Sequence, residues 1–182
     1  AGQDTETVEI KVNDGKPIEN KLIYGSVSGK KIDENGEALG GALIGIFKAD
    51  ETEFTKEHAI MTATSEKDGS FSFAKVPYGK WIVREIEAPE GFVLDDTSYK
   101  VNIGEKEQVI EVEITDEYIH GNIELIKVDA DYPDNKLTGA TFEVYKDVNG
   151  DGKLNDGDEL IGNLEETATG IYEMKELLYG KY

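Results

Sequence analysis

The chain has 182 residues, and its 39 acidic and 19 basic side chains give a formal net charge of −20. This excess of negative charge repels nucleic acid and anionic lipid, so neither is an expected partner. The sequence has no cysteine and no apolar run long enough for a signal peptide or a membrane span, which excludes disulfides and a spanning segment within these residues.

The front of the chain has the pattern of the closing hairpin of a domain that precedes it. Residues 7–12 alternate as a strand does, residues 13–16 (NDGK) are turn formers, and residues 17–20 lead back. We therefore expect residues 1–24 to contain this hairpin and a linker, with the rest of that domain outside the chain.

Seven further strands are predicted, with tight turns between them. They cover residues 25–33, 42–48, 58–64, 70–74, 80–87, 97–103 and 108–115. Most alternate between apolar and polar residues, which is the pattern of a strand with one buried face. Residues 50–58 are predicted to form a short helical turn. Regularly spaced short strands favour an all-β fold of antiparallel, immunoglobulin-like sandwiches.

The chain also contains an internal repeat. The phrase GSVSGKKID at 25–33 matches GNIELIKVD at 121–129, and DGSFSF with YGKW at 68–81 matches TGIYEM with YGKY at 169–182. Several matched positions are glycines at turns, where backbone geometry decides the residue. The repeat predicts a complete β-domain at 25–119 and a second domain at 120–182 that is truncated at its C-terminal end.

Three phrases of the first copy carry a resemblance to a known family. Lys31 lies in GSVSGKKID, Glu85 lies four residues before Pro89 in EIEAPEGF, and Asp116 closes the alternating strand VIEVEITD. Together they resemble the Cna B-type (prealbumin-like) domain of Gram-positive surface adhesins and pilins. The resemblance implies an intramolecular isopeptide bond between Lys31 and Asp116, with Glu85 as the catalyst and no cofactor.

The chemistry of such a bond requires these residues to be buried. An amine attacks a carboxyl carbon only when the amine is neutral, and burial between two sheets favours the neutral forms of amine and carboxyl alike. The alternative is an ordinary Lys31–Asp116 ion pair, or two solvated side chains. Lys30 is a rival donor by adjacency, but strand alternation places it on the opposite face from Lys31.

Two other positions match the bonding residues without having a partner in this chain. Asn20 stands five residues before Gly25, at the acceptor position of the preceding domain. Lys127 occupies the donor position of the second copy. The catalytic position of the second copy would fall four residues beyond Tyr182. One amide is therefore expected, inside the complete copy.

The second copy contains a candidate calcium loop at residues 147–158 (DVNGDGKLNDGD). Its spacing is that of a twelve-residue loop with oxygen ligands at alternate positions and a glycine, Gly152, at the sharp turn. The predicted ligands are Asp147, Asn149, Asp151, the Lys153 carbonyl, Asn155 and Asp158. Asp158 is shorter than the usual glutamate, so Asp156 or Glu159 could close the site instead. The alternative is an acidic, solvated hairpin loop.

These features favour a structural stalk module of a cell-wall-anchored, extracellular surface protein. The expected partners are neighbouring domains of the same parent protein, and a host ligand would be bound by a head outside this chain. The alternative function is a β-sandwich that itself binds a host ligand, which an exposed apolar patch would favour. No arrangement of residues suggests an enzyme acting on an external substrate.

Overall fold

A computed structural model describes residues 22–182, which form thirteen β-strands. The strands are β1 Tyr24–Asp33, β2 Leu43–Lys48, β3 Met61–Thr64, β4 Ser70–Pro77, β5 Gly79–Glu87, β6 Phe92–Val93, β7 Tyr99–Ile103, β8 Val109–Tyr118, β9 His120–Ile126, β10 Glu143–Lys146, β11 Glu159–Asn163, β12 Glu165–Ala168 and β13 Ile171–Leu178. No helix occurs among the described residues, and hence none there that could cross a membrane. The predicted all-β fold is confirmed.

Strands β1 to β8 form two four-stranded sheets that pack face to face. One sheet has the order β4-β1-β8-β6 and the other the order β3-β2-β5-β7. Their inner faces share one core of apolar side chains: Val27, Ala42, Ile44, Ile46, Phe71, Phe73, Val76, Val83, Val101, Ile103, Val112 and Ile114. Because alternate residues of a strand point to one face, the inward residues of β1 and β8 lie at every second position.

One strand pair departs from the predicted antiparallel arrangement. Strands β1 and β8, the first and last of this sandwich, lie side by side and run parallel. Parallel neighbours need a long crossover, and here the six intervening strands supply it. The chain therefore enters along β1 and leaves along β8 in the same direction.

Strands β9 to β13 repeat the start of this arrangement. β9 pairs with β13 as β1 pairs with β4, and β10 pairs with β11 as β2 pairs with β3. The repeat extends to single glycines: Gly69 and Gly170 have φ angles of 75° and 65°. A Cβ atom would lie 2.3 Å from the Lys31 carbonyl oxygen at Gly69 and 2.8 Å from the Lys127 carbonyl oxygen at Gly170. Close backbone approach thus requires glycine at both positions.

The seven strands predicted between residues 25 and 115 are all present, with shifted ends. The strand expected at 58–64 begins at Met61, and the short β6 was not predicted. Within the region expected to form a short helical turn, 50–58, the Thr55 carbonyl accepts from the N–H groups of His58 at 3.2 Å and Ala59 at 3.1 Å. This is one helical turn that does not continue into a helix. The hairpin predicted at 7–20, including Asn20, lies outside the described residues.

Candidate functional site

Lys31 and Asp116 are placed together by the parallel pairing of β1 and β8. Lys31 is opposite Ile114, and Asp116 is two residues further along β8. Both residues therefore point inward, with Lys31 0% and Asp116 1% exposed. Lys30 points outward, and its ammonium donates to the Asp68 carbonyl at 2.9 Å. The strand geometry thus presents Lys31, not Lys30, to Asp116.

Glu85 reaches the same point from the other sheet. It lies on β5, opposite Ile44 of β2, and its side chain is completely buried. Glu85 Oε1 lies 3.4 Å from Lys31 Nζ, and Lys31 Nζ also contacts Asp116 Oδ1. The structure therefore brings together the three residues that the sequence analysis selected.

The polar atoms of this trio have few partners other than one another. Lys31 Nζ, Glu85 Oε1 and both Asp116 carboxyl oxygens are buried, and none has a partner with hydrogen-bond geometry, although Nζ touches both carboxyl groups. Buried charged groups normally have a full set of hydrogen bonds, because desolvation is costly. An ordinary buried ion pair would leave this cost uncompensated.

Burial also changes the ionisation of Glu85. Loss of water around the carboxyl raises its pKa to about 7, a backbone hydrogen bond from Asp95 opposes this rise, and Asp116 adds to it. At neutral pH a large fraction of Glu85 is therefore protonated. A protonated carboxyl can donate to a neighbouring carboxyl oxygen and take a proton back, as a general acid and base must do.

A second layer of contacts fixes the orientation of the Glu85 carboxyl. The Asp95 N–H donates to Glu85 Oε2 at 2.9 Å, which leaves Oε1 facing Lys31. The Asp95 side chain is itself held by the Tyr99 hydroxyl at 2.7 Å and the Thr97 N–H at 2.9 Å. The sequence analysis missed Asp95 and Tyr99, since the loop that carries Asp95 meets β5 only in the folded domain.

A further pair ties the ends of β1 and β8 together next to the trio. The Tyr118 hydroxyl donates to Asp33 Oδ2 at 2.5 Å, and this bond is the main cause that lowers the pKa of Asp33. Asp33 and Tyr118 each lie two residues after a member of the trio, on the same strand face. That spacing is a signal the sequence analysis did not use.

Lys127 occupies the matching place in the second copy without a matching environment. Its backbone repeats the bonds of Lys31: the Lys127 N–H donates to the Gly170 carbonyl and the Leu137 N–H donates to the Lys127 carbonyl. Its side chain is only partly buried and forms no ion pair with any residue from 22 to 182. The described chain brings no carboxylate to it.

The predicted calcium loop is the connection between the paired strands β10 and β11. Asp147 accepts hydrogen bonds from the N–H groups of Gly150 at 2.7 Å and Gly152 at 2.8 Å, and the Gly152 bond is the main cause that lowers its pKa. Asp158 accepts from Val148 and Asn155. Among residues 22–182, no group of three or more His, Asp or Glu side chains lies close enough together to hold a metal ion. The carboxylate oxygens of Asp147 and Asp158 are of the type that Ca²⁺ prefers. In this structure they accept hydrogen bonds from backbone N–H groups of the loop itself.

The match to a family model identifies the class of domain. The SpaA model, described as a prealbumin-like fold domain, matches residues 25–118 and again residues 121–182. The chain belongs to this family. The match confirms the predicted resemblance to prealbumin-like domains, and each matched range contains one copy of the sequence repeat.

Solved structures show the same fold. The Bacillus anthracis TIE protein is similar with a TM-score of 0.69 and 24% identity over 87% of this chain and 27% of that one. A streptococcal ancillary pilin is similar with a TM-score of 0.50 and 20% identity over 88% of this chain and 52% of that one. This chain thus spans about a quarter of the first protein and about half of the second. No curated protein sequence matches the chain.

Proposed function

We propose that this chain is a structural module of a bacterial surface adhesin or pilin, braced by a self-formed amide between Lys31 and Asp116. The observation that carries the proposal is the buried contact of Lys31 Nζ with Asp116, together with Glu85 Oε1 at 3.4 Å. Three buried ionisable side chains are poorly explained as stabilising ion pairs when Lys31 Nζ, Glu85 Oε1 and both Asp116 carboxyl oxygens lack a hydrogen-bond partner. They are well explained as the reactants and the catalyst of a condensation.

The reaction we propose is a single condensation that occurs after folding. Lys31 Nζ, once neutral, attacks the Asp116 carboxyl carbon, a C–N bond forms and one C–O bond breaks. The protonated Glu85 donates to the departing oxygen and receives a proton from the amine, so its own protonation is restored. The ammonium loses two protons in all, and they leave with the carboxylate oxygen as one water molecule.

Folding supplies most of what this reaction needs. The register of β1 and β8 holds the nucleophile against the carboxyl group, and such positioning can lower a barrier by roughly 7–11 kcal/mol. The sandwich core excludes water, which strengthens the interaction of Glu85 with the reacting carboxyl. The product needs no turnover, because the bond remains in the folded domain.

The amide would lie on the path of a pulling force. Tension applied to the two ends of the sandwich enters at Tyr24 and leaves at Tyr118, and it shears the parallel strands β1 and β8. A Lys31–Asp116 amide carries that load directly from one strand to the other, so the chain between Lys31 and Asp116 is not under tension. By the loop-closure argument for cross-links, a loop of about 85 residues is also stabilised by about 4–5 kcal/mol.

The intact mass of the purified chain in denaturant tests this proposal. The expected mass is lower than the sequence mass by one water, and proteolysis should yield one branched peptide that joins the Lys31 and Asp116 segments. Lys31→Arg should have its full sequence mass, whereas Lys30→Arg should still lack one water. A full sequence mass for the unaltered chain would refute the amide.

A further inference from the structure

The two matched domains are joined by a very short connection with specific contacts. Only Ile119 separates β8 from β9. The Ile119 N–H donates to the Gly91 carbonyl at 2.9 Å, and the Tyr179 N–H donates to the Ile119 carbonyl at 2.9 Å. The backbone of Ile119 therefore ties the loop after β5 in the first domain to the turn after β13 in the second.

Side chains complete this joint. The Tyr179 hydroxyl donates to Glu90 Oε1 at 3.0 Å, and its ring lies against Gly91. Gly91 has a φ of 91°, and a Cβ atom there would lie 3.4 Å from the ring. A glycine preceded by an acidic residue thus presents a backbone carbonyl, a carboxylate and an open ring contact to the next domain.

The first domain has the same receiving surface at Tyr78. The Tyr78 N–H donates to the Ile23 carbonyl at 3.0 Å, as Tyr179 donates to Ile119. The strand pairs next to the two tyrosines also match: Tyr24↔Pro77 and Gly25↔Val76 correspond to His120↔Leu178 and Gly121↔Leu177. Lys75 and Glu176, each three residues before its tyrosine, also have the same left-handed backbone conformation, with φ of 57° and 58°.

The surface around Tyr179 is covered by the first domain, whereas the surface around Tyr78 is exposed. Tyr78 is 62% exposed, and within residues 22–182 its hydroxyl has no hydrogen-bond partner. Leu22 and Ile23, beside it, are 76% and 37% exposed. An exposed aromatic and aliphatic group at a position whose equivalent forms an interdomain joint indicates a contact surface.

We propose that Tyr78 and Ile23 form the receiving half of an identical joint for another prealbumin-like domain that precedes Leu22. That domain would present an acidic residue followed by a left-handed glycine in the loop after its fifth strand, as Glu90 and Gly91 do here. Its carboxylate would accept a hydrogen bond from the Tyr78 hydroxyl, and its glycine carbonyl would accept one from the Ile23 N–H. The sequence prediction of a closing hairpin at 7–20 agrees with a domain at this place.

The first test uses the full chain and its existing joint. The triple variant His120→Tyr, Leu178→Pro and Tyr182→Trp gives the second domain the residues found around Tyr78. We expect the Ile119 amide to keep its hydrogen-exchange protection, and Glu90→Ala to weaken that protection equally in the parent and the variant. Loss of Ile119 protection in a triple variant that remains folded would overturn the proposal.

The second test builds the proposed joint directly. Residues 22–118 are placed ahead of residues 23–182, so that Ile23 takes the place of Ile119. The Ile23 amide should then exchange about tenfold more slowly than in the parent chain, the change expected for one additional hydrogen bond. Tyr78→Ala in the second copy should reverse this, and Ile119 serves as the internal standard. With the leading copy folded, equal exchange of Ile23 in both chains would overturn the proposal; if that copy does not fold, the triple variant decides.

Discussion

Glu85 Oε1 lies 3.4 Å from Lys31 Nζ although the two residues belong to opposite sheets of the sandwich. Lys31 and Asp116 share one sheet, so packing of the two sheets is what adds the third member of the trio. The proposed bond can form only once the sandwich has closed. In the proposed reaction, Glu85 therefore makes bond formation depend on correct packing of the two sheets.

The first prediction concerns the role of Glu85 in bond formation. Glu85→Gln keeps the shape and a hydrogen-bond donor at this position, but an amide cannot relay a proton. We expect the purified variant to show the full sequence mass and a strand content equal to that of the parent. Intact mass and far-ultraviolet circular dichroism measure these two properties.

Two outcomes would contradict this prediction. A Glu85→Gln chain that still lacks one water would show that Glu85 is not the proton relay. An unfolded variant would show that Glu85 is needed for packing, and the test would then be repeated with Glu85→Met, which removes the polar group without leaving a large cavity.

The trio could be predicted because the phrases around Lys31, Glu85 and Asp116 resemble those of a known family. Period-two alternation added that Lys31 and not Lys30 points inward, and the burial of Lys31 agrees with this. The support from Asp95 and Tyr99 could not be predicted in this way, because a loop without periodic pattern places the Asp95 N–H on Glu85. The parallel pairing of β1 with β8 is likewise a property of the whole domain and not of either strand.

The second prediction follows from the raised pKa of Glu85, at about 7, in a chain that cannot form the amide. In Lys31→Met the carboxyl stays buried and loses the lysine charge, an influence that lowers its pKa. A folded-state pKa above the unfolded value means that the folded state binds the extra proton. The stability that this proton contributes is then fully present below about pH 4.5 and is lost as pH rises through 7.

Urea unfolding of Lys31→Met at several pH values measures this effect. The free energy of unfolding should fall by about 2–3 kcal/mol between pH 5 and pH 8. The matched control is Lys31→Met with Glu85→Gln, in which that fall should be absent, while the other titrating groups are the same in both chains. Equal pH slopes in the two variants would show that Glu85 is not buried as the structure has it.

The third prediction concerns the contacts that orient Glu85. Tyr99→Phe removes the 2.7 Å bond to Asp95 and leaves the ring in the core. The Asp95 N–H should then hold Glu85 less firmly, because its loop has lost one anchor. We expect the bond to form several-fold more slowly after synthesis, with the same final mass. Timed intact-mass measurement after cell-free synthesis follows this process.

A matched change separates orientation from general loosening of the domain. Tyr118→Phe removes a hydrogen bond of similar kind on the other side of the trio, to Asp33, and does not touch the Asp95 loop. If Tyr99→Phe acts through Glu85, it should slow bond formation less strongly at pH 8 than at pH 6. A weaker Asp95 N–H bond raises the pKa of Glu85 and so increases the protonated fraction, which relays the proton, at pH 8. The same slowing at both pH values, equal to that in Tyr118→Phe, would indicate a structural effect alone.

The last prediction concerns calcium and the loop 147–158. The carboxylates of Asp147 and Asp158 accept hydrogen bonds from backbone N–H groups, so a bound Ca²⁺ must compete with these bonds. We therefore expect weak binding, with a Kd of about 10⁻⁴–10⁻³ M, as in extracellular calcium modules. Millimolar calcium should slow proteolysis within the loop, and Asp151→Asn should weaken this protection because it removes a charged ligand while keeping an oxygen atom. Asp134→Asn, outside the loop, is the control and should change nothing. Cleavage at the same rate in calcium and in chelator would leave these residues as turn formers only.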